Sequence, residues 1–432
     1  MKQCLRNEDR ISILPEALQL HILSQLPTKE AAATSALSKQ WRSLWKLVPK
    51  LKFDDDIYEF NQSEHETFSE TVSRVLLSHQ SPVLQSLHIH LRVDKCRAAD
   101  VGMWIGIAYA RHVRKLSLYF ASERGVTSFK FPLGMFHSET LETLELGAWV
   151  LVYVPYQARL KSLKTLRLRN VEYEDDSSVL NLLSGCPKLE NLVVNRDEDG
   201  VEIFTVEVPS LQRLTIFDSN DGEMSGGYVI KAPALKYLEI RGVESRQCCV
   251  IENAPELVEA KIVNVSKIVD EKLLVSLTSV KTLSLALSPL EITFPTGSIF
   301  YQLVNLELQT CKAEWWNLLV LMLDASPRLQ VLKLLDNSCY NDRDRSVACK
   351  KWSQPNKVPE CLLSHLETFV WRSYRERLEE EKVVAKYILS NAARLKKASF
   401  SEMPIQDSNS QEMVDELESV VRASTSCELA FE

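Results

Sequence analysis

Hydrophobic residues recur along most of the chain in one short pattern, apolar-x-x-apolar-x-apolar. It reads LQSLHI at Leu84, VRKLSL at Val113, LETLEL at Leu141, LKTLRL at Leu163, LENLVV at Leu189 and LQRLTI at Leu211. It continues as LKYLEI at Leu235, LVEAKI at Leu257, VKTLSL at Val280, LVNLEL at Leu303, LQVLKL at Leu329, LETFVW at Leu366 and LKKASF at Leu395. Successive starts lie 22 to 37 residues apart. Within each unit the later apolar residues alternate, so they point to one side of a strand. One such strand cannot bury that side alone. Stacking neighbours ~4.8 Å apart makes a parallel sheet over a shared core. Pro187, Pro209, Pro233, Pro255 and Pro327 each stand two residues before a unit. There a proline ends the preceding connector without removing a donor from the strand.

A period of ~20–29 residues is that of leucine-rich repeats. No steady Asn marks the turns, so the array should be irregular. Asp218 to Gly227 (DSNDGEMSGG) reads as a loop and Asn337 to Val358 as an exposed insertion. Ahead of the units, Leu47 to Phe53 reads as an apolar hinge and Asp54 to Asp56 as a solvated turn. Phe60 to Ser78 reads as a helix, with Phe68, Val72, Val75 and Leu76 on one face. After the repeats, Glu379 to Arg394 reads as an amphipathic helix between two last strand units, a closing cap of the kind repeat arrays need.

The N-terminal stretch from Asp9 to Trp45 breaks this rhythm. Leu14, Leu18, Ile22 and Leu26 recur every four residues, the spacing of one helix face. Pro15 suits a first helical position, and Leu26-Pro27 ends the helix. Thr28 is the expected N-cap of a second helix and Ser38 of a third, in which Leu37, Trp41, Leu44 and Trp45 share one side. Three helices this short cannot bury so much Leu, Ile and Trp among themselves. The surplus needs a partner, either another protein or the rest of this chain.

Composition narrows the function. The chain has 432 residues, 45% hydrophobic and 25% charged, with a net charge of −7. That balance gives no basic footprint for nucleic acid or anionic membrane. No apolar run reaches the ~18 residues of a membrane span. The start, MKQCLRNEDR, lacks the apolar core of a signal peptide, so cytoplasm or nucleus is the expected location. The ten cysteines are scattered and read as buried reduced thiols, with no zinc spacing.

Both ends of the chain resemble known domains. The N-terminal stretch resembles the F-box of plant F-box proteins at Leu14-Pro15, Ile22-Leu23, Leu26-Pro27-Thr28-Lys29, Thr34-Ser35, Leu37-Ser38-Lys39 and Trp41. Gln40 departs from the usual Arg, and Glu16 from the frequent Asp. Pro359 to Phe400 resembles the FBD domain at Cys361-Leu362, Leu366-Glu367, Trp371, Tyr374, the Glu379–Lys382 run, Tyr387-Ile388-Leu389 and Leu395-Lys396-Lys397. The resemblance implies an α/β chain: a three-helix F-box over residues 1–50, a helical linker over 51–83, an irregular leucine-rich-repeat solenoid (a parallel-strand horseshoe) over 84–358, and an FBD cap over 359–432. In the family the F-box docks onto the small Skp-type adaptor of an SCF cullin-RING ubiquitin ligase. Carried over by position, Leu14, Pro15, Leu18, Ile22, Leu23, Leu26, Pro27 and Trp41 would face that adaptor.

No catalytic arrangement stands out. There is no phosphate-binding loop, no G-x-S-x-G elbow and no H-E-x-x-H. His88 and His90 share a strand face, without a third ligand near them in sequence. The expectation is a non-enzymatic adaptor subunit without metal or cofactor. Its target would bind the polar strand positions, where Arg167, Arg169, Arg213, Arg241 and Lys261 outnumber Glu239 and Glu259 by three, beside Phe217 and Tyr237. Such a patch suits an acidic or phosphorylated protein segment. A small-molecule sensor coupled to the same ligase, and a scaffold outside any ligase, are the other readings.

Overall fold

The structure is a computed structural model. It describes residues 11–431, apart from 55–67, 93–96, 122–127, 149, 198, 219–225, 244–247, 266–270, 291, 296, 337–351, 375–378 and 403–409. Most of the expected loop at 218–227 and of the insertion at 337–358 lies outside the described residues, as do Asp55, Asp56 and the first part of the helix expected from Phe60. The chain forms two compact units, residues 1–201 and 202–432.

The first unit opens with helices α1 (Glu16–Leu23), α2 (Thr28–Ala33) and α3 (Lys39–Leu44). Leucine-lined strands follow in one parallel sheet, Lys50–Asp54, Ser86–Arg92, Lys115–Ala121, Thr143–Gly147, Thr165–Arg169 and Asn191–Arg196, and Phe129–Lys130, Val150–Val152 and Glu172–Tyr173 form a second, smaller one. The register of the larger sheet aligns Leu51, Leu87, Leu116, Leu144, Leu166 and Leu192 in one inward row, every member sealed from solvent. A second inward row runs Phe53, Ile89, Leu118, Leu146, Leu168 and Val194. Burying a Leu, Ile or Val side chain stabilises by ~1.5–3 kcal/mol, so these rows carry much of the stack. Helices α4 (Phe68–Ser78) and α5 (Ala98–Ala110) lie among the connectors, and the buried Trp104 donates its indole N–H to Ser73 at 2.9 Å. The strand Lys50–Asp54 corrects the reading of Leu47 to Phe53 as a hinge.

The second unit continues the leucine-lined parallel strands with Arg213–Asp218, Tyr237–Arg241, Glu259–Val263, Thr282–Ala286, Asn305–Gln309, Val331–Leu335, Thr368–Tyr374, Lys397–Glu402 and Glu428–Phe431, and Ile203–Glu207, Gly227–Lys231 and Cys248–Asn253 form a separate parallel sheet. The helix Glu379–Asn391 sits in sequence between the two FBD strands, as expected. Aromatic residues fill the core here: Trp371 meets Phe369, Trp315 and Tyr374 edge-on at 5.0–5.9 Å. The strand Glu428–Phe431 lies beyond the last unit seen in the sequence.

The turns after several strands share a device. Asn170, Gly242 and Asn264 all have positive φ, and their amides donate to the following strand's carbonyls at Asn195, Val263 and Ala286, at 2.9–3.0 Å. Gly and Asn adopt this left-handed conformation at least cost.

Candidate functional site

The three N-terminal helices have a core of their own. Leu23, Ala31, Trp41, Leu44 and Val48 pack together, with Leu20 against them. The Ser38 side chain caps α3, accepting the Trp41 amide at 3.4 Å. Thr28, in contrast, is not a cap. It is the first residue of α2, follows the cap residue Pro27, and its hydroxyl accepts the Lys52 amide at 2.7 Å. Pro15 likewise stands at the cap of α1 rather than inside it, with ψ at 141°.

One polar residue organises the segment ahead of α1. Gln19 is fully buried, and its amide nitrogen lies 2.9–3.1 Å from the carbonyl oxygens of Ile11, Ser12 and Leu14. Its own oxygen accepts from the Gln40 side chain at 3.2 Å. The Trp41 indole donates to the Ser12 hydroxyl at 3.0 Å. An unpartnered buried amide is costly, so this set fixes the Ile11–Leu14 turn against the helix.

What remains outside is apolar. Ile13 is 76% exposed, Leu37 70%, Leu18 51% and Ile22 41%, and Ile11 and Leu26 are exposed too. Leu18 and Ile22 lie one turn apart on the same face of α1. Of the eight positions expected to face an adaptor, Pro15, Leu18, Ile22 and Leu26 are open, and Leu14 and Pro27 are half-buried. Leu23 and Trp41 correct that expectation, because both are sealed in the helices' own core. Helix geometry explains Leu23, which lies about 140° around the axis from Leu18. Leu37 is corrected in the opposite sense, since it precedes the Ser38 cap and faces solvent. Ile11 and Ile13 are exposed as well, and they stand before the helix, where helical spacing gives no signal.

The polar face of the strands in the first unit can be read row by row. One row runs Lys50, Ser86, Lys115, Thr143, Thr165 and Asn191, and the next Lys52, His88, Ser117, Glu145, Arg167 and Val193. Glu145 accepts from Ser117 at 2.7 Å and pairs with Lys115 and Arg167, each at 3.1 Å. Burial alone would raise its carboxyl pKa, but Ser117, Lys115 and Arg167 overcome this and hold it below the ordinary value. Lys50 and Lys52 have no ion pair among the described residues. These rows line a cavity of about 500 Å³ whose far wall is Ser24 to Pro27, the turn between α1 and α2. In a third row His90 Nδ1 lies 3.2 Å from the Asp54 carboxylate, which accepts, and the ring packs edge-on against Tyr119 at 4.8 Å. Burial first, then Lys52, lowers the His88 pKa.

The basic patch expected from sequence divides between the two units. Arg167 is spent on Glu145, while Arg169 is exposed. In the second unit, Glu239 accepts from Tyr237 at 2.9 Å, pairs with Arg241 and lies 3.9 Å from Lys261. Arg213 stacks on Tyr237 at 4.1 Å, and Arg241 lies over Phe217 at 5.5 Å. Burial and the Glu239 carboxylate push the Tyr237 hydroxyl up to about 12. Glu239 thus engages two of the three positive charges expected there, Arg241 and Lys261, while Arg213 is held on the Tyr237 ring. Lys50 and Lys52 on the first strand add further exposed positive charge that the sequence reading did not single out. Among the described residues no group of three His, Cys, Asp or Glu is placed to hold a metal, and no helix is long and apolar enough to cross a membrane.

A three-helix module with uncovered apolar side chains, joined to stacked leucine-lined strands, defines an F-box leucine-rich-repeat protein. The F-box domain model matches residues 11–53, a model of the LRR repeats of FBD-associated F-box protein At5g56370 matches 101–264, and the FBD model matches 354–400. The sequence is 54% identical to F-box/FBD/LRR-repeat protein At3g52680 of Arabidopsis thaliana, over 98% of this chain and 93% of that one. It is 51% identical to F-box/FBD/LRR-repeat protein At4g00160 of the same plant, over 98% of this chain and 94% of that one. With F-box/LRR-repeat protein At3g26922 it shares 65% identity over 300 residues, 68% of this chain and 96% of that one. The chain belongs to the F-box/FBD/LRR-repeat family. Proteins of the F-box/LRR type are generally non-catalytic adaptors, and an F-box in general implies a Skp-type partner within an SCF assembly.

Proposed function

We propose that this chain is the substrate-recognition subunit of an SCF-type cullin-RING ubiquitin ligase. The F-box holds the Skp-type adaptor, and the polar strand face holds a target protein. The ligase then works by proximity, raising the effective concentration of target lysines near the ubiquitin carrier. One observation carries this reading. The helices satisfy their own core with Leu23, Trp41 and Leu44, yet leave Leu18, Ile22, Ile13 and Leu37 open to water. Apolar side chains left exposed on so short a module suit a protein partner. The test is co-purification with a plant Skp-type adaptor. The wild-type chain should retain the adaptor and Leu18→Glu/Ile22→Glu should lose it. Equal retention by both would remove the proposal.

A further inference from the structure

The cavity between the α1–α2 turn and the first strands is built from both the F-box and the repeats. Its lining includes Lys50, Lys52, Lys115 and Arg167, against a single carboxylate, Glu145. That carboxylate is already engaged by Lys115, Arg167 and Ser117. Lys50 and Lys52, exposed and without an ion pair among the described residues, are the charges left over.

We propose that this cavity and the strand rows leading from it seat an acidic, extended segment of the target protein, with its carboxylates on Lys50 and Lys52. The inference rests on the reading above, in which the strand face recruits a target.

Geometry favours a chain segment over a compact anion. From Lys50 the same row continues through Ser86, Lys115, Thr143, Thr165 and Asn191, all of which but Lys115 can both donate and accept hydrogen bonds. Five inter-strand steps of ~4.8 Å span about 24 Å, the length of about seven extended residues. Tyr119 stands on the same strand face, beside the neighbouring Lys52–Arg167 row and two rows from this track, exposed and backed by His90. Its ring occupies the space over Gly147, where any Cβ would fall 2.3 Å from it. An exposed, propped tyrosine is a good contact for a peptide. A compact anion would satisfy the two lysines and leave the hydroxyl row and Tyr119 unused.

The test uses the full chain purified with its Skp-type adaptor and a dye-labelled heptaglutamate, followed by fluorescence anisotropy. Heptaglutamate should bind and heptaglutamine should not. Lys50→Glu/Lys52→Glu should weaken binding at least about tenfold, a loss of about 1.4 kcal/mol, while adaptor retention and melting temperature stay as in wild type. Equal binding of the two peptides, or an unchanged affinity in the double variant, overturns the proposal. Complete displacement by inorganic phosphate at matched ionic strength also overturns it, because the occupant is then a small anion. Failure to retain the adaptor, with peptide binding intact, would count against the ligase reading and leave this site standing.

Discussion

The division of the F-box leucines into two classes can be tested in one experiment. Leu18 and Ile22 are 51% and 41% exposed, whereas Leu23 is 1% exposed. Full burial of such a side chain is worth ~1.5–3 kcal/mol, and roughly half of each exposed one remains for a partner to cover. Truncating both to alanine therefore removes about 2 kcal/mol of docking energy, or about thirtyfold in affinity for the adaptor. Exposed substitutions of this kind usually change stability by less than about 0.5 kcal/mol. Leu23→Ala should do the reverse. It leaves a hole among Ala31, Trp41, Leu44 and Val48, at a cost of ~2–5 kcal/mol in stability. Adaptor affinity per folded molecule should stay near wild type. Titration calorimetry against the adaptor, paired with urea unfolding, reads both quantities. The reasoning fails if Leu18→Ala/Ile22→Ala binds as wild type, or if Leu23→Ala unfolds at the wild-type urea concentration.

Other consequences are as direct. Gln19→Ala removes the donor to three carbonyls and frees the Ile11–Leu14 turn, so stability should fall by about 2–3 kcal/mol, at ~1 kcal/mol for each lost bond, with adaptor affinity falling as Ile11 and Ile13 lose their position. Burial lowers the His79 pKa, against the pull of its bond to the Val48 carbonyl at 2.7 Å, and nearby Arg111 lowers it further. The unfolded chain therefore takes up this proton first. The contribution of His79 is intact above the free-histidine value of about 6.5 and is lost as pH drops below it, so His79→Gln should flatten the urea midpoint between pH 7.5 and about 5.5. Gly147→Ala should cost less than about 1 kcal/mol, because only the exposed Tyr119 ring has to swing aside, and the His90 ring resonances should shift as that ring moves. Gly242→Ala should cost more, about 1–3 kcal/mol by thermal unfolding, since its φ of +75° and the backbone oxygen of Asp218 leave no room to yield.

Apolar spacing survives in sequence, which is why the thirteen units could be read directly. The first strand obeys the same rule, at Val48, Leu51 and Phe53, but Pro49 and its flanking lysines make it read as a hinge. The last strand is hidden differently: Ser426 stands where the first apolar residue belongs, ahead of Leu429 and Phe431. Charge is harder to read, because pairing across strands depends on register. Glu145 and Arg167 are 22 residues apart and meet only because their strands align. Without that alignment, the arginines of the middle repeats look unpaired and the lysines of the first strand are overlooked. The F-box was legible as a motif, while the facing of each residue was not. Leu23 and Trp41 satisfy the motif and serve the helices' own core.

Surplus apolar surface on the N-terminal helices had two destinations in the sequence, a partner protein or the first repeat, and the structure joins the helical segment to the first strands while leaving Leu18, Ile22, Ile13 and Leu37 exposed. The inner side of the helices runs into the stack without a spacer. The Gln80 amide donates to Lys46 at 2.8 Å, the Gln85 amide to Pro49 at 2.8 Å, and the Lys52 amide to the buried Thr28 hydroxyl at 2.7 Å. Thr28 is thus the link between α2 and the edge strand, and Thr28→Val tests whether the link matters. Valine keeps the volume and removes the acceptor, leaving the Lys52 amide unpartnered at a cost of about 1–3 kcal/mol. Hydrogen exchange at Lys52 should accelerate by the matching factor, about 5- to 150-fold. Exchange at Leu116 and Leu144, deeper in the stack, should hardly change. Acceleration across the whole first unit would mean that the strand does not open independently, and unchanged exchange at Lys52 would mean that the hydroxyl contributes nothing. Local opening is the expected result, because among the described residues the strand Lys50–Asp54 has a strand neighbour on one side only, with the Thr28 hydroxyl on the other.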